Sequence, residues 1–442
     1  MAGPVHNADR ADRIGILAGG GSLPLEIARS VTGRGGSVHV VIINGEADNR
    51  ALESFPHTRL SWSELGGAIK ALRHAEVRDI VMVGKMARPS LRTAKPDLGF
   101  ILAFPSIVRA LSAGGDDALL RGILALFTRR GFNVVGPADV APELLIGDGP
   151  LGLRSPSTDD KSDMALALSV IAALGRYDIG QAAIVSGGRI EAIEGAEGTD
   201  GMIARVSDAR AAGQRDGAAQ RRGVLVKRPK PGQDLRVDLP AIGPETVQRA
   251  AEAGLAGIAA MTGYVLAANR FELVDRADRA GLFVTGVDGG GPSALLNQAV
   301  RAADVAPLYY SGNAPSAKIA ADVDRGTGVM STLQSFGTGA ALVVCERRVL
   351  AIGTDDKPAD VILRAKRFIK PTRRRAGVVV VGSREALDTN LVNAAADAGM
   401  AGIMAMYAPA DGPQRTAPVI ALAGQRGLFV GGAELVIVET TA

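Results

Sequence analysis

An α/β protein is predicted: an N-terminal Rossmann-like parallel-sheet domain, a second α/β domain, and a diverged duplicate of that second domain. Three features of the 442-residue sequence predict it. Short β-branched runs alternate with helical patterns over the first part of the chain. A linker rich in Gly, Pro, Ser and Asp follows, and beyond it several segments recur in the same order. The composition agrees, because 56 glycines and 4% aromatics suit tight-turned α/β units and 47% hydrophobic residues supply several cores.

Strands are expected at "RIGILA", "SVHVVIIN" and "DIVMVGKM", with helices through "LPLEIARSVT" and "SELGGAIKALRHA" between them. This is the βαβ pattern of a parallel sheet. The helical spacing of "DDALLRGILALFTRRG" leads into a strand at "FNVVGP". The segment "ELLIGDGPLGLRSPSTDD" reads as the linker, which sets domains at residues 1–145, 155–288 and 293–442, the last two joined at "GGGP". The repeat pairs "GQAAIVSGGRIEAIEG" with "GAALVVCERRVLAIG", "RRGVLV" with "RAGVVV", "AAEAGLAGIAAM" with "AAADAGMAGIMAM", and "RAGLFVTGVD" with "QRGLFVGGAE". Where the first copy carries "RPKPGQDLRVDLP" the second has only "SREALDTNLVN". A loop that merely joined a strand to a helix would not need that insertion.

Composition narrows the chemistry. No apolar run approaches the roughly 18 residues of a membrane span. The start "MAGPVHNADRADR" has no apolar signal core, and the one cysteine, Cys345, excludes a disulfide framework or thiolate zinc cluster, so a cytoplasmic location is expected. The four histidines, His6, His39, His57 and His74, all lie near the N-terminus, which argues against histidine-rich metallohydrolases. Phosphate chemistry would fall to carboxylates, lysines and arginines.

Several motifs supply these groups. Gly19, Gly20 and Gly21 lie between a strand and a helix, where backbone N–H groups can approach an anion; a plain tight turn is the other reading. Pro24 and the absence of Gly-Lys-Ser/Thr separate this loop from the dinucleotide fingerprint and the P-loop. Lys85 and Arg88 follow a strand at the sheet edge where ligands bind, and Asp116 and Asp117 open a helix, where carboxylates also serve as caps. Gly198, Thr199 and Asp200 form a loop before a helix. Lys227, Arg228, Lys230 and Arg236 would neutralise a diphosphate, with Asp200 and Asp238 as natural partners of Mg2+ or Mn2+. Asp238 would bind the metal, orient water or act as general base, roles that sequence does not separate. The basic run "KRFIKPTRRR" in the duplicate is either a solvated loop or a contact for an anionic membrane, worth about 1 kcal/mol per cation. With Phe368 its lone aromatic, no nucleic acid is expected there.

Over about residues 12–288 the chain resembles the LpxI-type UDP-2,3-diacylglucosamine pyrophosphatases of lipid A biosynthesis. The resemblance rests on "GILAGGGSLPLEIA", "GDDALLR", "DIGQAAIV", "EGTDGM" and "KRPKPGQDLRVDLPAIG". It implies Mg2+-dependent attack of water on the pyrophosphate, releasing UMP and 2,3-diacylglucosamine 1-phosphate, with Asp238 essential for catalysis. It also implies that Gly19–Gly21, the Gly198–Asp200 loop and the segment with Lys227, Lys230, Gln233 and Arg236 line a cleft for the lipid-linked UDP-sugar. The stretch "GFILAFPSIV" is a candidate for acyl-chain contact, or else core. The duplicate departs from the family architecture. Lacking "RVDLP", it is expected to be no second active site but an intramolecular pseudo-dimer partner, with a homodimer as a further assembly; the expected location is the cytoplasm, with peripheral attachment to the cytoplasmic face of the inner membrane. Two other readings remain: a hydrolase of a soluble nucleotide-sugar, and a non-catalytic UDP-sugar-binding regulator.

Overall fold

A computed structural model describes residues 13–47, 49–86, 97, 100, 115–213, 221–231, 233–289, 308–311, 315–369, 374–383, 385–407 and 417–434. The chain forms two compact units. The first takes the chain up to Gly147 together with Gln233–Pro244 and Gly263–Val274; the second takes Asp148–Gly232, Glu245–Thr262 and Asp275–Ala442. Two short segments from the middle of the chain are therefore built into the N-terminal unit. All but the first residue of the "GGGP" joint and all but Phe100 of "GFILAFPSIV" lie outside the described residues, and so does Arg88.

The first unit is built on a five-stranded sheet, ordered β3-β2-β1-β4-β5. Its strands are β1 (Arg13–Ala18), β2 (Ser37–Ile43), β3 (His57–Leu60), β4 (Asp79–Val83) and β5 (Asn133–Val135), and every pairing is parallel. The central strand explains the fully apolar run. Ile14, Ile16 and Ala18 pack with Leu25, Ile27 and Val31 of α1 (Leu23–Gly33) on one face. Leu17 packs on the other with Ile69 and Leu72 of α2 (Leu65–His74) and Phe127 of α3 (Gly115–Arg129). Alternation along one strand thus feeds two helical layers. The strand order reverses direction between β1 and β4, which makes their carboxyl ends the topological switch point. A two-strand parallel pair, β10 (Ala241–Ile242) with β12 (Leu266–Ala267), belongs to the same unit.

The second unit holds two six-stranded mixed sheets of identical plan. One runs β6-β13-β11-β9-β7-β8, the other β14-β19-β18-β17-β15-β16. In the first, β7 (Ala182–Ser186) is antiparallel to β8 (Arg189–Ile193) and to β9 (Val224–Lys227). β9 then runs parallel to β11 (Gly257–Met261), β11 parallel to β13 (Phe283–Val287), and β13 antiparallel to β6 (Gly149–Pro150). In the second, β15 (Ala341–Cys345) is antiparallel to β16 (Arg348–Gly353) and β17 (Val378–Val381), β17 parallel to β18 (Gly402–Tyr407), β18 parallel to β19 (Phe429–Glu434), and β19 antiparallel to β14 (Leu308–Ser311).

The correspondence reaches individual side chains. Asp163 in α4 (Thr158–Gly175) accepts the N–H groups of Gly187 and Gly188 at 2.9 and 2.7 Å. Asp322 in α8 (Ala317–Gln334) accepts those of Glu346 and Arg347 at 3.2 and 2.6 Å. Each buried carboxylate thereby satisfies the tip of a hairpin. Likewise Arg221 donates to the Ala251 and Leu255 carbonyls, and Arg375 to those of Ala396 and Met400. The two sheets share one apolar core, in which Ile171 and Leu174 of α4 and Val185 and Val226 meet Val329 and Leu333 of α8 and Val344 and Val380. Arg176 donates to Thr332 Oγ1 at 2.9 Å and Arg325 donates to the Tyr177 carbonyl, which binds the helices to one another.

Cys345 ends β15 almost fully buried, and burial pushes its thiol up to about 11. At pH 8 the folded protein should therefore alkylate with iodoacetamide at least about a hundredfold more slowly than the urea-unfolded chain. Mass spectrometry across a urea series checks this, and labelling should rise with unfolding of the second unit.

Candidate active site

Within the first unit, the glycine loop and the β4 loop are joined through their backbones. The Gly19 N–H donates to the Val83 carbonyl at 2.9 Å, and Gly20 and Lys85 exchange N–H···O bonds of 2.8 and 2.9 Å. A Cβ on Gly19 would fall 2.6 Å from the Lys85 carbonyl, and Gly84, at φ +103°, is just as tightly set against Gly19. The glycines are needed here for backbone approach across the switch point. The N–H groups of Gly19 and Gly20 are thus engaged inside the protein, while Gly21, at φ +92°, is exposed. Pro24 in the first turn of α1 brings no N–H. Lys85 is exposed at the same edge.

The segment around Asp238 is seated on this sheet. Val237 packs on the cluster formed by Leu17, Met82, Phe127 and Val134. Gly136, just past β5, lies under the turn: a Cβ there would be 3.2 Å from Arg236 Cα and 3.4 Å from the Leu235 carbonyl. The turn closes through Val237 and Asp238 N–H groups on the Asp234 carbonyl, both 3.1 Å. The Asp234 carboxylate receives Arg236 Nε at 2.9 Å and Nη2 at 2.7 Å, which holds that guanidinium charged and raises its pKa. Arg236 is thus an anchor of the turn whose charge is already neutralised. Gln233 donates its side-chain amide to Asp238 Oδ2 and fixes the orientation of the half-buried carboxylate.

In the second unit, two further motifs come together. Lys227 ends β9, half-buried, and pairs in register with Ala182 and Ala260. Arg228 next to it is fully buried, with its N–H on the Gln181 carbonyl at 2.9 Å, and loss of hydration lowers its pKa. This corrects the expectation that Arg228 faces a diphosphate: its side chain is enclosed by core. Lys230 is ion-paired with Asp178 at 2.9 Å, and Pro231 packs on Gly175.

Gln181 also donates its N–H to Glu194 Oε2 at 2.8 Å, and Glu194 Oε1 accepts the Thr199 hydroxyl at 3.1 Å. Glu194 therefore couples Thr199 to the lysine-rich segment. Gly198, Thr199 and Asp200 were expected in a loop before a helix; they are instead the first turn of the helix itself. Gly198, at φ +74°, opens α5 (Gly198–Ala211), and Asp200 in its first turn is half-exposed, 3.6 Å from Arg249 Nε. Asp200 and Asp238 fall in different compact units. Of Asp116 and Asp117, only their place in the first turn of α3 is described.

Glu194 and Asp234 were not singled out by sequence reasoning. The signals were present, a Glu flanking the Gly-Thr-Asp loop and an Asp two residues before Arg236.

A doubly wound parallel sheet followed in the chain by mixed α/β sheets defines a class of multi-domain α/β proteins. Family models decide within it. The LpxI N-terminal domain matches residues 13–144 and the LpxI C-terminal domain residues 147–285. The chain belongs to the LpxI family. It is 42% identical over 277 residues to the UDP-2,3-diacylglucosamine pyrophosphatase LpxI of Caulobacter vibrioides, a match covering 62% of this chain and 98% of that protein.

Gly136 lies at φ −84°, a conformation open to any residue, so Gly136→Val would act through its side chain on the Asp238 turn. Displacement by about 1 Å should lower kcat on the order of a hundredfold. Steady-state kinetics beside a thermal melt, with the fold retained, check this.

Proposed function

We propose that the protein hydrolyses the pyrophosphate of UDP-2,3-diacylglucosamine, giving UMP and 2,3-diacylglucosamine 1-phosphate in lipid A biosynthesis. The observation that carries this reading is Asp238, a half-buried carboxylate whose orientation Gln233 fixes and whose turn is seated on a parallel sheet. Family membership and the name of the Caulobacter relative support the substrate. In this reading Asp238 holds the attacking water and takes up its proton. Lys85 and Lys227 are each proposed to supply positive charge to the diphosphate, and Lys230 would do so on exchanging its ion pair with Asp178 for the substrate. Gly198, Thr199 and Asp200 contribute the nucleotide-side contacts through the turn that Glu194 holds.

Among the described residues no three His, Cys, Asp or Glu side chains gather to cage a metal. Mg2+ does not need such a cage, because it is commonly bound by one or two carboxylates with substrate phosphates and water. Asp238 and Asp200 are each proposed as a carboxylate donor to an ion shared with substrate phosphates, and Mn2+ accepts the same oxygens. Bound there, it would neutralise charge on the diphosphate.

The C-terminal sheet is in this reading an internal repeat without the catalytic segment. Matching strand order, pairing direction and capping aspartates support it, and its shared core with the first sheet supports an intramolecular pseudo-dimer. Attachment to an anionic membrane on its cytoplasmic face is supported by exposed Leu363 at 69% and Phe368 at 37% beside Lys366 and Arg367, since apolar side chains flanked by cations suit a headgroup layer. No helix among the described residues is long and apolar enough to cross a membrane.

The test is UMP release from UDP-2,3-diacylglucosamine with Mg2+ present or chelated, beside UDP-N-acetylglucosamine. Release is expected only with the metal, with the acylated substrate favoured at least about a hundredfold. Equal rates on both would make the protein a hydrolase of soluble nucleotide-sugars, and binding without release would make it a regulator.

A further inference from the structure

The turn that leads into α5, where Gly198, Thr199 and Asp200 open the helix, is held from two sides. Glu194 ties it to its own sheet. The other side belongs to the C-terminal sheet. The Ala196 N–H donates to the Leu350 carbonyl at 3.3 Å, and Gly195 is so close that a Cβ there would lie 3.3 Å from that oxygen and 2.6 Å from Glu197 Oε2. Thr354 Oγ1 donates to the Glu191 carbonyl at 2.8 Å in the reciprocal contact. By strand register Glu191 corresponds to Leu350, so each copy lends the same stretch to the other, as in an isologous interface.

Beneath this contact four charges meet. Arg205 of α5 binds Glu197 at 3.2 Å and the Ile193 carbonyl at 3.3 Å. Arg364 of α9 (Pro358–Lys366) binds Asp356 at 2.8 Å and the Ile352 carbonyl at 2.9 Å. Arg205 also reaches across to Asp356 at 3.9 Å. Arg205 and Glu197 are only 9% and 4% exposed, and the Nε atoms of both arginines are buried without a hydrogen-bond partner among the described residues. Two cations and two carboxylates balance in a site with little water. Removing one carboxylate leaves two buried guanidinium groups competing for the other, an unbalanced charge of the kind that costs far more than the intact pair contributes. The remaining carboxylate is Glu197, the residue immediately before Gly198.

We propose that the C-terminal copy is a fixed positioning partner for the substrate loop, acting through Asp356 on Arg205 and Glu197. Asp356 is a positioning residue: it touches the loop's support and no substrate. The proposal rests on the pyrophosphatase reading only for its kinetic readout. A loop that contributes ground-state and transition-state binding alike should change KM and leave kcat nearly unaltered when loosened.

The experiment uses the full chain with three substitutions. Asp356→Asn should raise KM for UDP-2,3-diacylglucosamine about tenfold with kcat within about twofold, whereas Asp356→Glu, which keeps the charge, should restore most of the loss. Thr354→Val removes the side-chain hydrogen bond to the Glu191 carbonyl while keeping the Thr354 N–H that donates to Asp356 Oδ2 at 3.2 Å, and should lower thermal stability while leaving KM unchanged. Amide hydrogen exchange of residues 195–201 gives a readout independent of turnover, and should be faster in Asp356→Asn but not in Thr354→Val. If the Asn variant is too unstable to assay, Arg364→Lys, which keeps the charge but loses the two-pronged hold, should raise KM by roughly two- to fivefold. Unchanged KM and unchanged exchange in the Asp356 or Arg364 variants, or an equal rise in Thr354→Val, would overturn the proposal. Absence of UMP release by the unaltered protein would instead sink the pyrophosphatase reading, and the exchange measurement would still decide the role of Asp356.

Discussion

The seating of Gln233–Pro244 on the N-terminal sheet is the constraint on which the rest depends. In chain order this segment interrupts the second sheet between β9 and β11, yet its packing belongs to the first unit. Val237 packs on that unit's core, the Arg236 backbone lies against Gly136, and β10 pairs with β12. Burying Val237 contributes on the order of 1–2 kcal/mol, and the Asp234 carboxylate receives both prongs of Arg236 at the turn. These modest terms fix the backbone of the one residue on which the proposed chemistry turns. Two prolines and a buried Arg228 in the preceding segment make the chain leave β9 in one direction.

Charge in this protein is handled mainly by pairing. Arg236 belongs to Asp234, Lys230 to Asp178, Asp200 to Arg249, and the sequence's cluster of cations becomes a set of local anchors. The positive character available to an anion is therefore smaller than the count of lysines and arginines suggests. Surface pairs such as Asp200 with Arg249 contribute little to stability and can exchange partners readily. Buried ones, such as Arg210 with Glu191 at 2.9 Å, hold secondary structure together. The difference between a binding residue and a structural one is burial and partner, which a one-dimensional pattern does not contain.

Much of the fold was legible because its signals are local. The βαβ alternation predicts the parallel sheet, and β1 shows why, since Ile14, Ile16 and Leu17 must be covered on both faces. The common plan of the two mixed sheets was legible from "GLFV" and "AGLAGI", where a glycine in β11 and in β18 sits against Phe283 and Phe429. The glycine loop was half legible: glycine does permit close approach, but the partner is the β4 backbone. Arg228 misled because sequence shows its charge and hides its burial. The assignment of Gln233–Pro244 to the first unit, and the chain of bonds from Thr199 through Glu194 to Gln181, depend on contacts between residues distant in sequence.

The central claim is that Asp238 performs chemistry on a substrate the rest of the protein binds. The most direct measurement is the dissociation constant of UDP-2,3-diacylglucosamine for folded Asp238→Ala, by calorimetry in Ca2+ in place of Mg2+, set beside its rate of UMP release with Mg2+. The account predicts a dissociation constant within about tenfold of the unaltered protein's and release slower by at least about a thousandfold. Release within tenfold of the unaltered rate would contradict it, because the carboxylate at the sheet edge would then be dispensable.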